Sequence, residues 1–331
     1  MKKILLSFLI ISGIFANSQN TNLQNSKKVA VVAGLWPLPA VIKYWIDDAK
    51  LIYIPKASHI AFKNSIASEV MPESVEIPYG DSDNIEELLS LKADVYVCHD
   101  SKHKVCMQLK NSGVNVIELS TSSQRYNSKV VLTLWLEGLA KEFDIKDKNQ
   151  ALLNELENTE KMIANKVSNA KKPKAIIIHK ILPKNEFIVG VFSNYLLGNS
   201  GAINGFDYIE GSKKVGFEDI LKINPDIIYI SNFTPHMPKD LLEKAEFKDI
   251  KAIKSGKVYK MPLASYRPHA PNLDLPVTLK FFAKTNQPEI FKDMDLGVEY
   301  KNHFKKFYNI ELNDEQIKRI FNPSSEAGRL D

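Results

Sequence analysis

The fold is decided by one stretch between residues 147 and 174, which reads DKNQALLNELENTEKMIANKVSNAKKPK. It contains no glycine, and no proline until its last two residues. Leu152, Leu156, Met162 and Ile163 recur at helical spacing. The stretch therefore predicts a helix of about 24 residues, which is about 36 Å long at a rise of 1.5 Å per residue. Such a helix is too long for an ordinary crossover in a small sheet, so it divides the chain into two halves.

Both halves alternate between short β-branched runs and helical patterns. The predicted strands are 28–35, 51–57, 93–100 and 115–121 in the first half, and 174–180, 226–232 and 257–263 in the second. Their near-continuous apolar character is typical of parallel sheets that are buried on both faces. We therefore expect an α/β fold in which two parallel-sheet α/β lobes are joined by one long helix. The expected bounds are 27–146 for the N-terminal lobe, 147–172 for the linking helix, and 173–331 for the C-terminal lobe with its C-terminal helices.

The two halves are also related to each other in sequence. Residues 84–100 read NIEELLSLKADVYVCHD and align without gaps to residues 216–232, which read GFEDILKINPDIIYISN. Acidic residues coincide at three positions: Glu86 with Glu218, Glu87 with Asp219, and Asp94 with Asp226. Chance similarity is the alternative, because every parallel α/β protein repeats helix-then-strand units. The length of the ungapped match favours a duplicated half-fold.

The N-terminus predicts export. It reads MKKILLSFLIISGIFANSQN, with two lysines, an apolar run of about 13 residues, and then small residues at 16 and 18, as at the −3 and −1 positions of a cleavage site. That run is shorter than the ~20 residues that cross a bilayer, so a signal peptide of residues 1–18, cleaved near Ser18, is favoured over an uncleaved anchor. No cysteine follows the run to accept a lipid. We therefore expect a soluble, exported protein that is exposed to oxidising conditions.

Charge and motifs exclude several classes of function. The formal net charge is +5, but 40 of the 44 basic residues are lysine, and no basic run is interleaved with aromatic residues. This pattern is typical of a solvated surface rather than of nucleic-acid binding. The chain has no G-x-S-x-G, Walker, G-x-G-x-x-G or H-E-x-x-H motif, so we expect no enzyme. A metal-dependent hydrolase is the alternative, and it would need acidic ligands beside the histidines.

The scarce histidines and arginines concentrate where ligands bind. In open parallel sheets, ligands lie beyond the carboxyl ends of the strands. Six of the seven histidines and two of the four arginines fall in or beside the segments that follow predicted strands. Imidazole is a common metal ligand, and the planar guanidinium of arginine binds carboxylate or catecholate oxygens. A cleft that contains both predicts a site for a metal carried by an anionic chelator.

This reasoning selects particular residues. The predicted metal ligands are His99, His103, His236 and His269, and the predicted ligand-binding residues are Trp36, Arg125, Tyr126, Tyr266 and Arg267. His103 and His269 are preferred because each lies near the tip of a strand-end loop. His179 ends a buried strand and has either a metal-binding or a structural role. Trp36 either packs on a planar ligand or fills the core beside its two neighbouring prolines.

These features, in this order, resemble the class III periplasmic solute-binding proteins, the receptors of ABC importers for ferric siderophores, cobalamin, haem and metal chelates. The resemblance covers essentially the whole mature chain. It rests on GLWPLPAVIKYW at 34–45, the paired helix–strand units, the linking helix, and AIKSGKVYKMPLASYRP at 252–268. It implies two lobes bridged by one rigid helix, with ligand held between them and little hinge motion.

The resemblance also implies partners. Glu86 and Glu218 match the glutamates, one per lobe, that in this family dock into arginine pockets of the permease in the inner membrane. The alternative is that both carboxylates only stabilise helix N-termini. We expect a monomer without a permanent cofactor that binds a transition-metal chelate, either a nickel or cobalt complex or a ferric siderophore. The histidine-rich cleft slightly favours nickel. A haem or cobalamin receptor of the same fold is the alternative.

Both cysteines lie in the nonapeptide CHDSKHKVC at 98–106. Export permits a disulfide, whereas strand-to-helix geometry can hold the two Cα atoms more than about 7 Å apart, so the pairing is left open. We expect this loop to form one jaw of the cleft, with His99 and His103 facing Arg267 and His269 from the other half.

Overall fold

The computed structural model describes residues 26–32, 34 and 36–330. The predicted signal peptide lies outside these residues. Among the residues that are described, no helix is long and apolar enough to span a membrane.

The first half forms a four-stranded parallel sheet in the order β2-β1-β3-β4. Its strands are β1 (Lys27–Val31), β2 (Ala49–Tyr53), β3 (Val95–His99) and β4 (Val116–Leu119). The α-helices around it are α1 (Leu38–Trp45), α2 (Lys56–Asn64), α3 (Ala67–Val70), α4 (Ile85–Ser90), α5 (His103–Asn111), α6 (Ser123–Tyr126) and α7 (Ser128–Leu139). Short 3-10 helices span Pro72–Glu76 and Asp100–Lys102. All four predicted strands are present, as their buried β-branched residues require.

A single long helix, α8 (Lys146–Lys166), follows this lobe. Its 21 residues are fewer than the 147–172 span expected, because the helix stops seven residues before Pro173. Leu152, Leu156 and Ile163 lie buried on one face, as their helical spacing predicts. This face packs against the helix at 275–286 as well as against the first lobe.

The second half forms a six-stranded sheet in the order β10-β9-β5-β6-β8, with β7 paired to β5. Its strands are β5 (Lys174–Leu182), β6 (Glu186–Gly190), β7 (Ile203–Asn204), β8 (Ser212–Val215), β9 (Ile227–Ile230) and β10 (Val258–Lys260). Strands β5, β7, β9 and β10 are parallel, whereas β6 and β8 run antiparallel to their neighbours. The expected parallel sheet is thus extended by the antiparallel strands β6 and β8, which were not predicted from the sequence.

The remaining α-helices belong to the second half and the C-terminal region. They are α9 (Ser193–Gly198), α10 (Phe217–Ile223), α11 (Lys239–Leu242), α12 (Lys251–Lys254), α13 (Leu275–Asn286), α14 (Leu296–Tyr308) and α15 (Asp314–Phe321). Short 3-10 helices span Pro183–Asn185, Ala245–Phe247 and Ser325–Gly328.

One hydrophobic core continues from the first lobe into the C-terminal helices. It includes Trp45 and Trp135 of the first half, Leu156 of α8, and Phe282 and Phe304 of the second. Tyr44 of α1 packs on Tyr308 of α14, with ring centroids 4.8 Å apart. The C-terminal helices therefore pack the second half against the first.

The internal repeat is visible in the fold. Strands β1, β3 and β4 lie side by side in parallel, as do β5, β9 and β10. The aligned carboxylates of Asp94 and Asp226 make equivalent hydrogen bonds, because each accepts the backbone N–H of the residue at the start of the neighbouring strand, Lys28 or Lys174. The ungapped alignment of 84–100 with 216–232 thus matches equivalent structural units.

Candidate functional site

A cavity of about 290 Å³ lies where the strand ends of both lobes meet. Its lining comes from the first half (Gly34, Trp36, Pro37, His99, Ser101, Thr121 and Tyr126) and from the second (His179, Val191, Phe192, Phe233, His269 and Ala270). Larger grooves lie along the outer edges of β4 and β2. The position of the cavity is the one that open α/β sheets favour for ligands. Of the described residues, none that is charged at neutral pH lines it.

His179 reaches the cavity through an irregularity in β5. The pairing of β5 with β6 shifts register between Ile178 and Lys180, so His179 is left out of the regular ladder. Such a bulge redirects a side chain that would otherwise continue the strand. The hydroxyl of Ser231 donates to the carbonyl of His179 over 2.7 Å and holds the bulge in place. The imidazole lies beside Phe233, with ring centroids 4.7 Å apart.

His269 supports His179 from the buried loop after β10. The two Nδ1 atoms are 2.9 Å apart, and His269 Nε2 is 3.1 Å from the hydroxyl of Ser193 at the start of α9. Burial lowers the pKa of His269 to about 4, although a hydrogen bond with the Gly190 carbonyl opposes the shift. Burial and then the neighbouring His269 lower the pKa of His179 well below its usual value. Both imidazoles are therefore neutral at pH 7.

His99 enters the cavity from the opposite lobe at the end of β3. Its Nδ1 accepts the backbone N–H of Ser101 over 3.0 Å, and its Nε2 lies 2.8 Å from the hydroxyl of Thr121. Burial lowers the pKa of His99, so it too favours the neutral form. Both ring nitrogens thus have partners within the N-terminal lobe.

A disulfide joins Cys98 and Cys106 and closes the loop that carries His99. Their Cα atoms are 6.1 Å apart, which is within the range that a disulfide needs, and this answers the question left open by the sequence. Both cysteines are fully buried behind the strand end.

Aromatic rings form the cavity walls. Trp36 and Phe233 face each other with centroids 6.4 Å apart, and Tyr126 meets Phe192 edge-on at 5.7 Å. Val191 lies between these walls in a left-handed conformation, with φ of 55°. A β-branched residue rarely adopts that conformation, and strain of this kind clusters at functional sites.

Two buried cations hold the loops behind the cavity. Arg267 is fully buried, and its guanidinium donates to the carbonyls of Ala57, Asn232 and Ala327. These acceptors belong to the first lobe, the second lobe and the C-terminal segment, so one side chain ties three parts of the chain together. The position of Phe233 follows from these bonds, since its ring lies 5.1 Å from the guanidinium carbon.

Lys260 holds the same loop from the other side. Its amine donates to the carbonyls of Ser231, Thr234 and His236 over 2.7–2.9 Å. Burial lowers its pKa to about 7. The loop between 231 and 236, which presents Phe233 to the cavity, is thus fixed by bonds to its backbone.

Four of the nine predicted site residues line the cavity: Trp36, His99, Tyr126 and His269. The expected placement of Arg267 and Tyr266 is corrected, because both are buried and Arg267 donates to Tyr266 and to the carbonyls named above. Arg125 lies beside Tyr126, but its side chain is 80% exposed and pairs with Glu210 across the lobes.

The expected placement of His103 and His236 is also corrected. His103 does not face His269, because it begins α5 on the outer surface, where its Nδ1 lies 2.8 Å from Glu118. His236 lies 2.7 Å from the hydroxyl of Thr234 and is not among the residues that line the cavity. A strand-end loop is longer than the cavity is wide, so proximity in sequence does not place every loop residue inside it.

Sequence reasoning left His179 undecided and missed Ser193. The position of His179 at the end of a buried strand could have indicated a site residue. The bulge that turns its side chain towards the cavity, however, is not evident from the sequence. Ser193 follows a turn that was not predicted. Among the described residues, no group of three or more His, Cys, Asp or Glu side chains is arranged to hold a metal ion by itself.

Glu86 and Glu218 do not line the cavity and lie in equivalent helices. Each is exposed in the first turn of the helix that precedes the central strand, α4 before β3 and α10 before β9. Neither carboxylate has a hydrogen-bond or ion-pair partner among the described residues.

Comparisons with known proteins agree with this architecture. The sequence profile of the periplasmic binding protein family matches residues 55–264, which is more than half of the chain. A periplasmic solute-binding protein of Veillonella parvula is 26% identical, with a TM-score of 0.75 over 91% of this chain and 93% of its own.

Two further relatives are known with a ligand. CeuE of Helicobacter pylori, solved with Ni(II) bound, is 23% identical, with a TM-score of 0.69 over 90% of this chain and 95% of its own. The molybdate-binding protein MolA of Haemophilus influenzae is 24% identical over 281 residues, which are 78% of this chain and 79% of that protein. The profile match, together with two lobes, one linking helix and an interlobe cavity, shows that the chain belongs to the periplasmic binding protein family of ABC importers, in its class III.

Proposed function

We propose that this protein captures a chelated transition metal between its lobes, with His179 supplying a metal ligand, and delivers it to a membrane permease. One observation carries the proposal. Of the ring nitrogens of the three histidines that line the cavity, Nε2 of His179 is the one without a hydrogen-bond partner among the described residues. An imidazole nitrogen that faces a cavity and has no partner is ready to coordinate a metal.

The protonation states support a metal rather than an anion. The pKa of both His179 and His269 is lowered, mainly by burial, so the imidazoles are neutral and retain the lone pair that a metal requires. Without an arginine or lysine in the lining, a free dianion such as molybdate would be desolvated without a counter-charge. The ligand should therefore have little net charge.

The size of the cavity and the number of free donors support a chelate. A single free imidazole nitrogen leaves most coordination positions of the metal to be filled by the ligand's own atoms. A volume of about 290 Å³ is at the lower end of the range of about 300–1,000 Å³ for ligand pockets. Haem and cobalamin need more room, whereas a compact nickel or cobalt complex of amino acids suits both the volume and the neutral lining. A small ferric hydroxamate is the second choice.

Binding is favoured over catalysis by the position of the nearest nucleophile. Ser193 lies beside His269, as a catalytic serine would lie beside its base. However, Ser193 is buried, does not line the cavity, and donates its proton to the carbonyl of Gly190 over 2.6 Å. A substrate in the cavity would not reach the hydroxyl oxygen.

The proposal also covers the partner, the compartment and the cargo of the protein. Glu86 and Glu218 are assigned to permease docking because they are exposed and occupy equivalent places in the two lobes. The receptor would act as a monomer in the periplasm after removal of residues 1–18, with the metal complex as its cargo and no permanent cofactor.

Calorimetry with the nickel(II)–histidine complex tests the proposal. The wild type should bind, and His179→Ala should lose at least about 100-fold in affinity, because even indirect support of a metal ligand is worth about 10–100-fold. His236→Ala is the matched control and should bind as the wild type does, since His236 does not line the cavity.

Molybdate and a ferric hydroxamate are titrated in parallel. The metal proposal fails if molybdate binds and the two metal complexes do not. The assignment of His179 fails if a metal complex binds equally well to the wild type and to His179→Ala.

A further inference from the structure

Three side chains form a hydrogen-bonded series behind the cavity, and their proton positions can be worked out. Ser193 Oγ lies 2.6 Å from the carbonyl oxygen of Gly190 and donates its single proton to it, since a carbonyl can only accept. The same Oγ lies 3.1 Å from His269 Nε2. With its proton already committed, Ser193 must accept in this second bond. His269 Nε2 therefore carries a hydrogen.

The remaining positions follow from the rule for neutral imidazole. A neutral ring has one N–H and one nitrogen with a lone pair. If His269 carries its hydrogen on Nε2, its Nδ1 holds the lone pair and accepts over the 2.9 Å contact with His179. His179 must then donate from Nδ1, and its own lone pair lies on Nε2.

We propose that Ser193 and His269 are positioning residues that hold His179 in the tautomer with the lone pair of Nε2 directed at the ligand. The inference rests on the proposed function for its ligand class. It deepens that function, because the tautomer decides what the cavity binds. A lone pair coordinates a metal, whereas an N–H in the same place would instead favour an oxyanion.

The backbone around Ser193 is built to keep this arrangement. Gly190 has φ of 91°, and its carbonyl oxygen accepts the proton of Ser193. A Cβ atom at Gly190 would lie only 2.1 Å from the carbonyl oxygen of Gly211, so no other residue fits there without moving the backbone. At the other end, Ser231 holds the carbonyl of His179.

Nitrogen-15 NMR of the ligand-free protein, with labelled histidine side chains, tests the assignment directly. Long-range proton–nitrogen spectra distinguish a protonated ring nitrogen from one with a lone pair, and His179→Gln identifies the resonances of His179. We expect His179 to carry its hydrogen on Nδ1. A hydrogen on Nε2 would overturn the proposal, whatever ligand the protein binds.

A matched pair of variants tests the role of His269. Asparagine and leucine have nearly the same shape, but only asparagine offers an acceptor near the position of Nδ1. His269→Asn should keep the tautomer of His179 and bind nickel(II)–histidine within about threefold of the wild type. His269→Leu should shift His179 towards hydrogen on Nε2 and lose about 10–100-fold in affinity, the usual effect of removing the partner of a metal-binding histidine.

The outcomes separate this proposal from the proposed function. Equal affinity and equal spectra for the two variants would overturn the positioning role of His269. If no metal complex binds but the Nδ1 hydrogen is observed, the proposed function fails while the assignment stands. If His269→Leu does not fold, the spectrum of the wild type still decides. Thermal unfolding of each variant shows which case applies.

Discussion

The two lobes present loops to the same cavity but hold them in different ways. In the N-terminal lobe, a disulfide closes the loop of His99, and both ring nitrogens are bonded within that lobe. In the C-terminal lobe, buried Arg267 reaches the first lobe and the C-terminal segment, and His179 is held through His269. The first loop is fixed locally, whereas the second depends on contacts between distant parts of the chain. Disruption of the second should therefore have larger effects.

The largest effect is expected from Arg267→Ala. Its removal takes the guanidinium donors away from three buried carbonyl groups and opens a cavity, which should lower the free energy of unfolding by about 3–5 kcal/mol. Arg125→Ala, at an exposed ion pair between the lobes, should change it by less than about 0.5 kcal/mol. Urea unfolding measures both. Equal values for the two variants would contradict the idea that Arg267 ties the lobes.

A slightly smaller effect is expected from acid. The pKa of His269 is about 4 in the folded protein, against an ordinary value of 6.5, because burial disfavours the charged ring. As the pH falls below 6.5, the unfolded chain takes up the proton first, so stability is lost until the folded protein also binds it near pH 4. This one group should cost about 3 kcal/mol over that window and nothing above pH 7.5.

His269→Asn is the control for that measurement. Urea unfolding between pH 7.5 and pH 4 should show a loss for the wild type that exceeds the loss for the variant by about 3 kcal/mol. His99, whose pKa is lowered in the same direction but which is less deeply buried, should contribute less. Parallel curves for the wild type and His269→Asn would mean that His269 is protonated as easily in the folded protein as in the unfolded chain.

Loss of the disulfide should have a smaller effect still. Replacing Cys98 and Cys106 by alanine frees a loop of nine residues in the unfolded chain, which should lower the free energy of unfolding by about 2–3 kcal/mol. Urea unfolding of the double variant and of the oxidised wild type gives the difference. If the double variant loses more free energy of unfolding than Arg267→Ala does, the local disulfide matters more for stability than the long-range contacts of Arg267, which contradicts the comparison.

The smallest effect on stability is expected from Glu86 and Glu218, which occupy equivalent positions in the two lobes. Glu86→Ala and Glu218→Ala remove exposed carboxylates and should each change the free energy of unfolding by less than about 0.5 kcal/mol, with ligand affinity unchanged. Uptake into vesicles that contain the permease should fall for each variant and fall further for both together. Glu243→Ala, at another exposed position, is the control. If the double variant supports uptake at the wild-type level, these two glutamates do not dock the receptor to the permease.

Much of the fold was predictable because the signals were local. Seven buried strands could be read from β-branched runs, and α8 from Leu152, Leu156 and Ile163 on one face. The hairpin strand Glu186–Gly190 was missed, since it is short and begins with a charged residue. The alignment of the two halves anticipated the equivalent roles of Asp94 and Asp226.

The candidate site was predicted only in part. Trp36, His99, Tyr126 and His269 line the cavity because they follow strand ends. Arg267 follows a strand end as well, but the loop turns its side chain into the protein, where it meets backbone carbonyls from three regions. Which way a loop side chain turns is decided by such long-range contacts, and these have no pattern in the neighbouring residues.

The sequence by itself determined that the chain folds as two α/β lobes on one helix, and that histidines collect at their meeting edge, because periodicity and strand ends are local properties. The tertiary structure alone decided which cavity histidine keeps a ring nitrogen without a hydrogen-bond partner among the described residues. His179 and His99 look alike in sequence, and their difference comes from a bulge, a hydroxyl and a second imidazole 90 residues away. A polar side-chain atom bonds to whichever partner the whole fold brings within about 3 Å. The neighbouring residues in the sequence do not reveal which partner that is.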